Sequence, residues 1–171
     1  MELTTKGRYA VMAMVDLAKH GPQHGTQYGP QHSHDVAMPL SAIAERQQLS
    51  VAYLEQIFLK LRRAGLVESE RGRAGGYRLS RASCDIMVAD VMTAVDEETR
   101  MTRCHGEEAA GCIGEHRCLT HGLWDALGEH IHEFLARVSL DDVLTGRIGG
   151  LFPPPALSST RTEAMPRSTT T

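Results

Sequence analysis

Three cysteines and a histidine lie close together in the second half of the chain: Cys104, Cys112, Cys118 and His121. Thiolates and an imidazole in one loop can hold a thiophilic metal without ligands from the rest of the fold. The glycines between them allow the backbone to wrap around such a group. The spacing does not identify the metal, because a Cys3His set suits structural zinc as well as an iron–sulphur cluster.

The alternatives to a metal site are weaker. Cysteines this dense in a polar, glycine-rich loop are seldom coincidental, and disulfides are rare in a reducing compartment. Cys118 and His121 could form a nucleophile–base pair, but nothing else supplies an oxyanion site or a substrate pocket, so we expect no enzymatic activity. Cys84 lies apart from the group, and we expect it to be a small packed side chain.

Composition and charge place the protein in a broad class. The 171 residues suit one compact domain or two small ones. No apolar stretch approaches the ~20 residues of a membrane helix and no signal peptide is evident, so we expect a cytoplasmic protein without a membrane partner. Residues 1–83 carry 11 Lys/Arg against 7 Asp/Glu, whereas residues 84–171 carry 7 against 14. Only the first half can therefore lie along a polyanion such as DNA.

Two short helices in the basic half have helix-turn-helix spacing. Ser41 can cap a helix that ends near residue 47, and Ser50 can cap a second helix over 51–64. The small Ala44 allows the two helices to cross closely. Two strand-like runs follow, at 66–67 and 77–79, joined by a glycine-rich turn. A hairpin directly after a recognition helix is a wing.

Further helices are predicted before and after this unit. A first helix over 5–20 is followed by a Gly/Gln/His-rich segment, 21–38, which we expect to be a solvated loop insertion, although its histidines could bind a divalent cation. A short helix is expected over about 87–95. A tail from 146 onward is rich in Gly, Pro, Ser and Thr and is expected to be disordered.

A long amphipathic helix over about 119–138 is expected to mediate dimerisation. Its apolar stripe is too long to be covered by a small winged domain, so a second copy of the chain is the expected cover. The stripe comprises Leu123, Leu127, Ile131, Phe134, Leu135 and Val138.

Several motifs resemble the IscR family of iron–sulphur transcription regulators, a winged-helix family that also holds RirA and NsrR. The resemblance covers residues 1–145 and its motifs are highly specific. They are the opening run 2–11, 45–47, 53–56, Arg62 with 65–67, 71–72, 75–77, 94–97, 103–104 and 118–121 with Leu123-Trp124.

The resemblance implies a homodimeric regulator, mainly a repressor, that carries a [2Fe–2S] cluster on Cys104, Cys112, Cys118 and His121. It further implies that cluster status reports iron–sulphur supply, that iron–sulphur assembly proteins donate the cluster, and that cluster-assembly genes are controlled. The seven residues between Cys104 and Cys112 resemble RirA instead. A [4Fe–4S] regulator responsive to iron or nitric oxide, or a zinc-stabilised one, therefore remains the alternative.

The second helix of a helix-turn-helix enters the major groove with its N-terminal residues, so operator DNA is the expected partner. Gln56 can pair with adenine, and Glu55 can accept a hydrogen bond from cytosine N4. Lys60 and Arg63 are expected to meet the phosphate backbone. The residues expected at the DNA are Lys6, Ala52, Tyr53, Glu55, Gln56, Arg62, Arg71 and Arg73.

The expected fold is mainly α with a small β-hairpin: a winged helix-turn-helix domain plus a long C-terminal dimerisation helix. The domain boundaries follow from the elements. They are 1–99 for the winged domain (helix-turn-helix 40–64, wing 66–79), 100–122 for the cluster-binding loop, 119–145 for the dimerisation helix and 146–171 for the tail.

Overall fold

A computed structural model describes residues 4–21, 37–72, 75–97 and 118–148. The elements run, in chain order, α1 (Thr5–His20), α2 (Leu40–Gln47), α3 (Val51–Arg63), β1 (Val67–Glu70), β2 (Gly76–Leu79), α4 (Val88–Ala94), α5 (His121–Arg137) and α6 (Leu140–Thr145). A short 3₁₀ turn, Ser83–Asp85, lies between β2 and α4. The mainly helical winged fold is as predicted. No helix in the described part of the chain is long and apolar enough to cross a membrane.

The helix-turn-helix forms much as its sequence pattern indicates. Ser50 caps α3, with its side chain accepting a hydrogen bond from the Tyr53 N–H at 3.1 Å. The cap expected from Ser41 is wrong, because α2 begins at Leu40, two residues earlier than that cap would place it. Pro39 occupies the N-cap position, and no side chain caps the helix. The fixed φ of Pro39 prepares the chain to enter the helix. The turn between the helices is made by Gln48, whose φ is +54°.

The wing is a two-stranded antiparallel hairpin in which Val67 pairs with Leu79 and Glu70 with Gly76. Met38 extends it, since its N–H and carbonyl both bond Tyr77, at 2.9 and 2.8 Å. Only a glycine allows this approach, because a Cβ at Gly76 would lie 2.3 Å from the Met38 carbonyl. Residue 38, expected to lie in the loop insertion, is therefore bridged to β2, and residues 22–36 lie outside the described chain.

One apolar core joins α1, α2, α3 and the wing. The fully buried Phe58 of α3 packs edge-on against Tyr77 of β2, with ring centroids 4.8 Å apart. The buried face of α3 is the predicted one. It comprises Leu54, Ile57, Phe58 and Leu61.

The amphipathic helix expected over about 119–138 corresponds to α5, and the wider stretch 119–145 assigned to the dimerisation helix contains two helices. α5 ends at Arg137, and Ser139 starts α6 through a capping box with Asp142. The tail expected from residue 146 starts no earlier than 149, because Gly146 and Arg147 close α6, with the Arg147 N–H bonded to the Asp142 carbonyl at 3.0 Å. Residues 149–171 lie outside the described chain.

The junction of α5 and α6 is attached to the winged domain by backbone hydrogen bonds. The Val88 N–H donates to the Val138 carbonyl at 2.8 Å, and the Leu140 N–H donates to the Ile86 carbonyl at 3.0 Å. Val138 and Leu140 are both buried. The C-terminal end of α5 is thus fixed to the start of α4.

Candidate nucleic-acid interface and metal-binding loop

The solvent face of α3 is opposite its core face. Ala52, Gln56 and Arg63 lie on one exposed strip at helical spacing, with the exposed Glu55 beside it. This strip starts at the N-terminus of the helix, the part that enters a major groove. The structure therefore places the two candidate base-reading side chains, Glu55 and Gln56, next to the exposed Arg63.

Two other predicted DNA contacts lie on the flanks of α3. Tyr53 is half-buried against Tyr9 of α1, with ring centroids 6.0 Å apart and planes at 88°. Arg62 points towards the wing, where its Nη1 donates to the Ser69 hydroxyl at 3.3 Å. Both side chains position the recognition helix against its neighbours as well as lying near its exposed face.

Lysines from two helices converge on one residue behind the recognition helix. Lys60 of α3 forms an ion pair with Asp96, with 2.5 Å between Nζ and Oδ2. Lys6 of α1 donates to the backbone carbonyl of the same Asp96 at 3.3 Å. The hydrogen bond and the positive charge of Lys60 hold the pKa of the Asp96 carboxyl below its ordinary value. Sequence reasoning did not identify Asp96, which lies 36 positions from Lys60.

The described arginines of the wing differ in whether they are exposed or paired with a carboxylate. Arg71 is exposed at the tip, where it is open to phosphate or a groove, and Arg73 lies outside the described residues. Arg78 is instead paired with Glu68 and Glu70, at 2.9 and 3.0 Å. Glu68 and Glu70 therefore neutralise the positive charge of Arg78 within the hairpin, and among the described residues of the wing the exposed Arg71 is the cation more available to DNA.

A buried carboxylate connects α1 to the helix-turn-helix. Asp16, whose side chain is 1% exposed, accepts two hydrogen bonds from Arg46 Nε at 3.1 Å, one from Arg46 Nη2 at 2.5 Å, and one from Gln47 Nε2 at 2.7 Å. Burial alone would raise the pKa of Asp16. The hydrogen bonds from Arg46 and Gln47 and the charges of Arg46 and His20 outweigh it, so that the pKa is lowered.

Two of the predicted metal ligands lie at the start of α5. His121 is buried in the first turn, and its backbone N–H donates to the Cys118 carbonyl at 3.0 Å. Cys118 is half-buried, with its Sγ 3.5 Å from the Thr120 hydroxyl oxygen. Cys104 and Cys112 lie in the stretch 98–117, outside the described residues. Within the described ranges no three potential ligands come together.

Cys84 is not the packed side chain that its isolation suggested. It is exposed on the 3₁₀ turn, with its Sγ 3.7 Å from Asp85 Oδ1. The expectation was wrong because the neighbouring Ser83 and Ile86 supply the buried positions of this turn.

The apolar stripe of α5 is divided between two environments. Phe134 and Leu135 pack with Val138 against the chain's own α4. The N-terminal half is uncovered, with Leu123 61%, Trp124 41% and Leu127 38% exposed. The surface available for a second copy is therefore shorter than the predicted stripe, and Trp124 belongs to it.

Comparison with known proteins identifies the family. Residues 3–146 match Rrf2, described as iron-dependent transcriptional regulators. This chain belongs to the Rrf2 family.

Rrf2 relatives named IscR match at about half of the aligned positions. The HTH-type transcriptional regulator IscR of Xenorhabdus nematophila is 50% identical over 144 residues, covering 84% of this chain and 79% of that one. IscR of Photorhabdus laumondii is 48% identical over 147 residues, covering 86% and 81%. The chain is an IscR-type transcription regulator that binds DNA, and its relatives are regulators rather than enzymes.

Solved structures of Rrf2 regulators share the fold. T. potens IscR aligns with a TM-score of 0.61 and 34% identity, covering 86% of this chain and 88% of that one. CymR, the global cysteine regulator of B. subtilis, aligns with a TM-score of 0.64 and 29% identity, covering 85% and 98%.

Proposed function

We propose that this Rrf2 protein is mainly a repressor whose operator binding depends on a [2Fe–2S] cluster held by Cys104, Cys112, Cys118 and His121. The observation that carries the proposal is the backbone hydrogen bond that joins Cys118, just before α5, to His121, its first residue, in a chain with IscR relatives at about 50% identity. Cluster-assembly genes are the proposed targets.

The residues present fit such a group. The half-buried Cys118 and the buried His121 are joined by one hydrogen-bonded backbone turn that leads into α5. Thiolate with imidazole is a donor set that iron–sulphur centres use. Because His121 is buried, water would have limited access to a bond between its imidazole and a metal. When bound, the cluster supplies iron–ligand bonds that exist only while iron and sulphide are available. Assembly proteins in a reducing cytoplasm are the proposed donors.

The proposed DNA contacts divide into reading and positioning. Gln56 and Glu55 are proposed to read bases from the exposed strip of α3, with Ala52 allowing close approach to the groove. Contacts that position the protein on the phosphates and sugars are proposed for Lys6, Tyr53, Arg62, Arg63, Arg71 and Arg73.

The proposed assembly is a homodimer formed through the uncovered half of α5. Leu123, Trp124 and Leu127 present adjacent apolar side chains that one winged domain leaves exposed. Two-fold symmetry then requires a pseudo-palindromic operator. Since the candidate ligands lie where α5 begins, ordering of the loop would act on the same end of the helix that forms the dimer.

Anaerobic purification followed by visible absorption and by iron and sulphide analysis tests the cofactor. We expect visible absorbance with equal iron and sulphide, which the Cys104→Ala, Cys112→Ala, Cys118→Ala variant lacks while remaining folded. Four irons per protomer would indicate the [4Fe–4S] alternative, and stoichiometric zinc without colour would overturn the proposal. Operator titrations of loaded and cluster-free protein at matched salt test regulation, because equal affinities would make the cluster structural only.

A further inference from the structure

One large apolar side chain, Leu59, lies on the solvent face of the recognition helix α3, where it is 39% exposed. It follows the exposed Ala52, Glu55 and Gln56 at a spacing of i, i+3, i+4 and i+7. Positions with that spacing share one face of an α-helix, because the helix has about 3.6 residues per turn. The recognition helix of a homeodomain reads the major groove from four positions at this spacing. Leu59 therefore occupies the fourth position of the face that carries the candidate base-reading side chains.

The long side chains on either side of Leu59 are held on the flanks of the helix. Lys60 is paired with Asp96, just after the end of α4. Arg62 points towards the wing, where its Nη1 donates to the Ser69 hydroxyl at 3.3 Å. These contacts draw both cations away from the face between them, so the apolar surface of Leu59 is available to a partner that approaches this face.

The chemistry of a leucine restricts what it can contact on DNA. Its side chain has no donor or acceptor for a phosphate oxygen or for the polar edge of a base. The major groove offers one apolar group, the C5-methyl group of thymine, and apolar side chains contact it. Packing a leucine against that methyl group removes apolar surface of both groups from water, which favours thymine over a base without the methyl group.

We propose that Leu59 is a specificity-determining residue that selects a thymine of the operator through its C5-methyl group. This rests on the proposed function, because it assumes that α3 lies in the major groove. The helical rise places Leu59 about 4.5 Å beyond Gln56 along α3, whereas successive base pairs are about 3.4 Å apart. We therefore expect the selected thymine within about two base pairs of the base that Gln56 reads.

The test removes the methyl group from the DNA and the leucine from the protein. An operator is selected from a randomised DNA library with wild-type protein, and each of its thymines is replaced in turn by uracil, which lacks only the C5-methyl group. Leu59→Ala is then titrated with the same DNAs. Met12→Ala is the matched control, because Met12 is 37% exposed on α1. Gln56→Ala reports independently whether α3 lies at the DNA.

We expect uracil at one thymine to weaken wild-type binding about fourfold, which is the effect of leaving one methyl group in water. Leu59→Ala should bind the unmodified operator at least that much more weakly than wild type, and the same uracil should leave its affinity unchanged. Non-cognate DNA should bind wild type and Leu59→Ala equally, because the methyl contact carries no charge. Met12→Ala should match wild type on every DNA.

Three results would overturn the role of Leu59: no thymine at which uracil weakens wild-type binding, equal losses for wild type and Leu59→Ala on uracil DNA, or an equal loss by Leu59→Ala on all DNA. A change of oligomeric state in Leu59→Ala, measured by light scattering, would also overturn it and assign the side chain to a contact between copies. If Gln56→Ala weakens operator binding and Leu59→Ala does not, the placement of α3 stands and the methyl contact is rejected. If neither variant affects binding, the placement of α3 is rejected too.

Discussion

Replacing Asp16 with asparagine tests the connection between α1 and the helix-turn-helix. The substitution keeps the side-chain volume, but it removes the negative charge that neutralises Arg46. It also replaces an acceptor oxygen by an amide NH₂ group, which cannot accept the hydrogen bonds that Arg46 and Gln47 donate. Because Asp16 is fully buried and accepts hydrogen bonds from both Arg46 and Gln47, the groups left without a partner belong to two consecutive residues of α2.

The magnitude follows from the burial of each partner. Removing one member of a fully buried ion pair costs about 3–5 kcal/mol, because the other charge stays buried. The Arg46 side chain is 34% exposed, so water can partly solvate it after the substitution, and we expect a smaller cost of about 2–3 kcal/mol. For a protein of this size that corresponds to a decrease in Tm of about 4–12 °C.

Urea denaturation between pH 3 and pH 7, compared with the exposed control Glu45→Gln, measures the effect. The folded-state pKa of Asp16 is lowered, so its stabilising contribution is present above the unfolded value of about 3.9 and is lost as pH falls through the folded value. The difference in unfolding free energy between wild type and variant should therefore be smaller below about pH 4 than at pH 7. A difference under about 0.5 kcal/mol at pH 7, or one that grows in acid, would refute the reasoning.

Three further predictions concern α3 and α5. Ser50→Ala removes the acceptor for the Tyr53 N–H and should lower the unfolding free energy by about 1 kcal/mol in urea denaturation, so an unchanged midpoint would contradict the cap. Leu123→Asp should give a monomer by light scattering while Met12→Asp, on exposed α1 surface, remains a dimer; a monomeric wild type would reject this interface. Glu55→Ala should tighten binding to non-cognate sites in competition assays, because its carboxylate repels phosphate wherever no cytosine amino group satisfies it, and loss of all binding would contradict a discriminating role.

The elements that could be predicted from the sequence are those with local causes. α1 ends where Gly21 follows it, and α3 begins behind Ser50, because a breaker and a cap act within one turn. The division after α5 had a local signal too, since Ser139 and Asp142 have capping-box spacing.

Contacts between distant positions could not be predicted in this way. Asp16 meets Arg46 across 30 positions, and nothing near either residue identifies its partner. Lys60 was expected to meet phosphate, and its pairing with Asp96 depends on how α3 packs beside the end of α4. Of the proposed metal ligands, Cys118 and His121 are described, and the set as a whole stays a prediction.

The attachment of α5 at its C-terminal end makes the helix a lever arm. Its 17 residues span about 25 Å between the hydrogen-bonded junction at Val138 and the first turn that carries His121. A rotation of about 10° around that junction displaces the first turn by about 4 Å, and in the proposed homodimer the same rotation would act in both halves. Under the proposed function, a small rearrangement among the four proposed ligands would therefore alter the spacing between the two recognition helices without any change inside the winged domain itself.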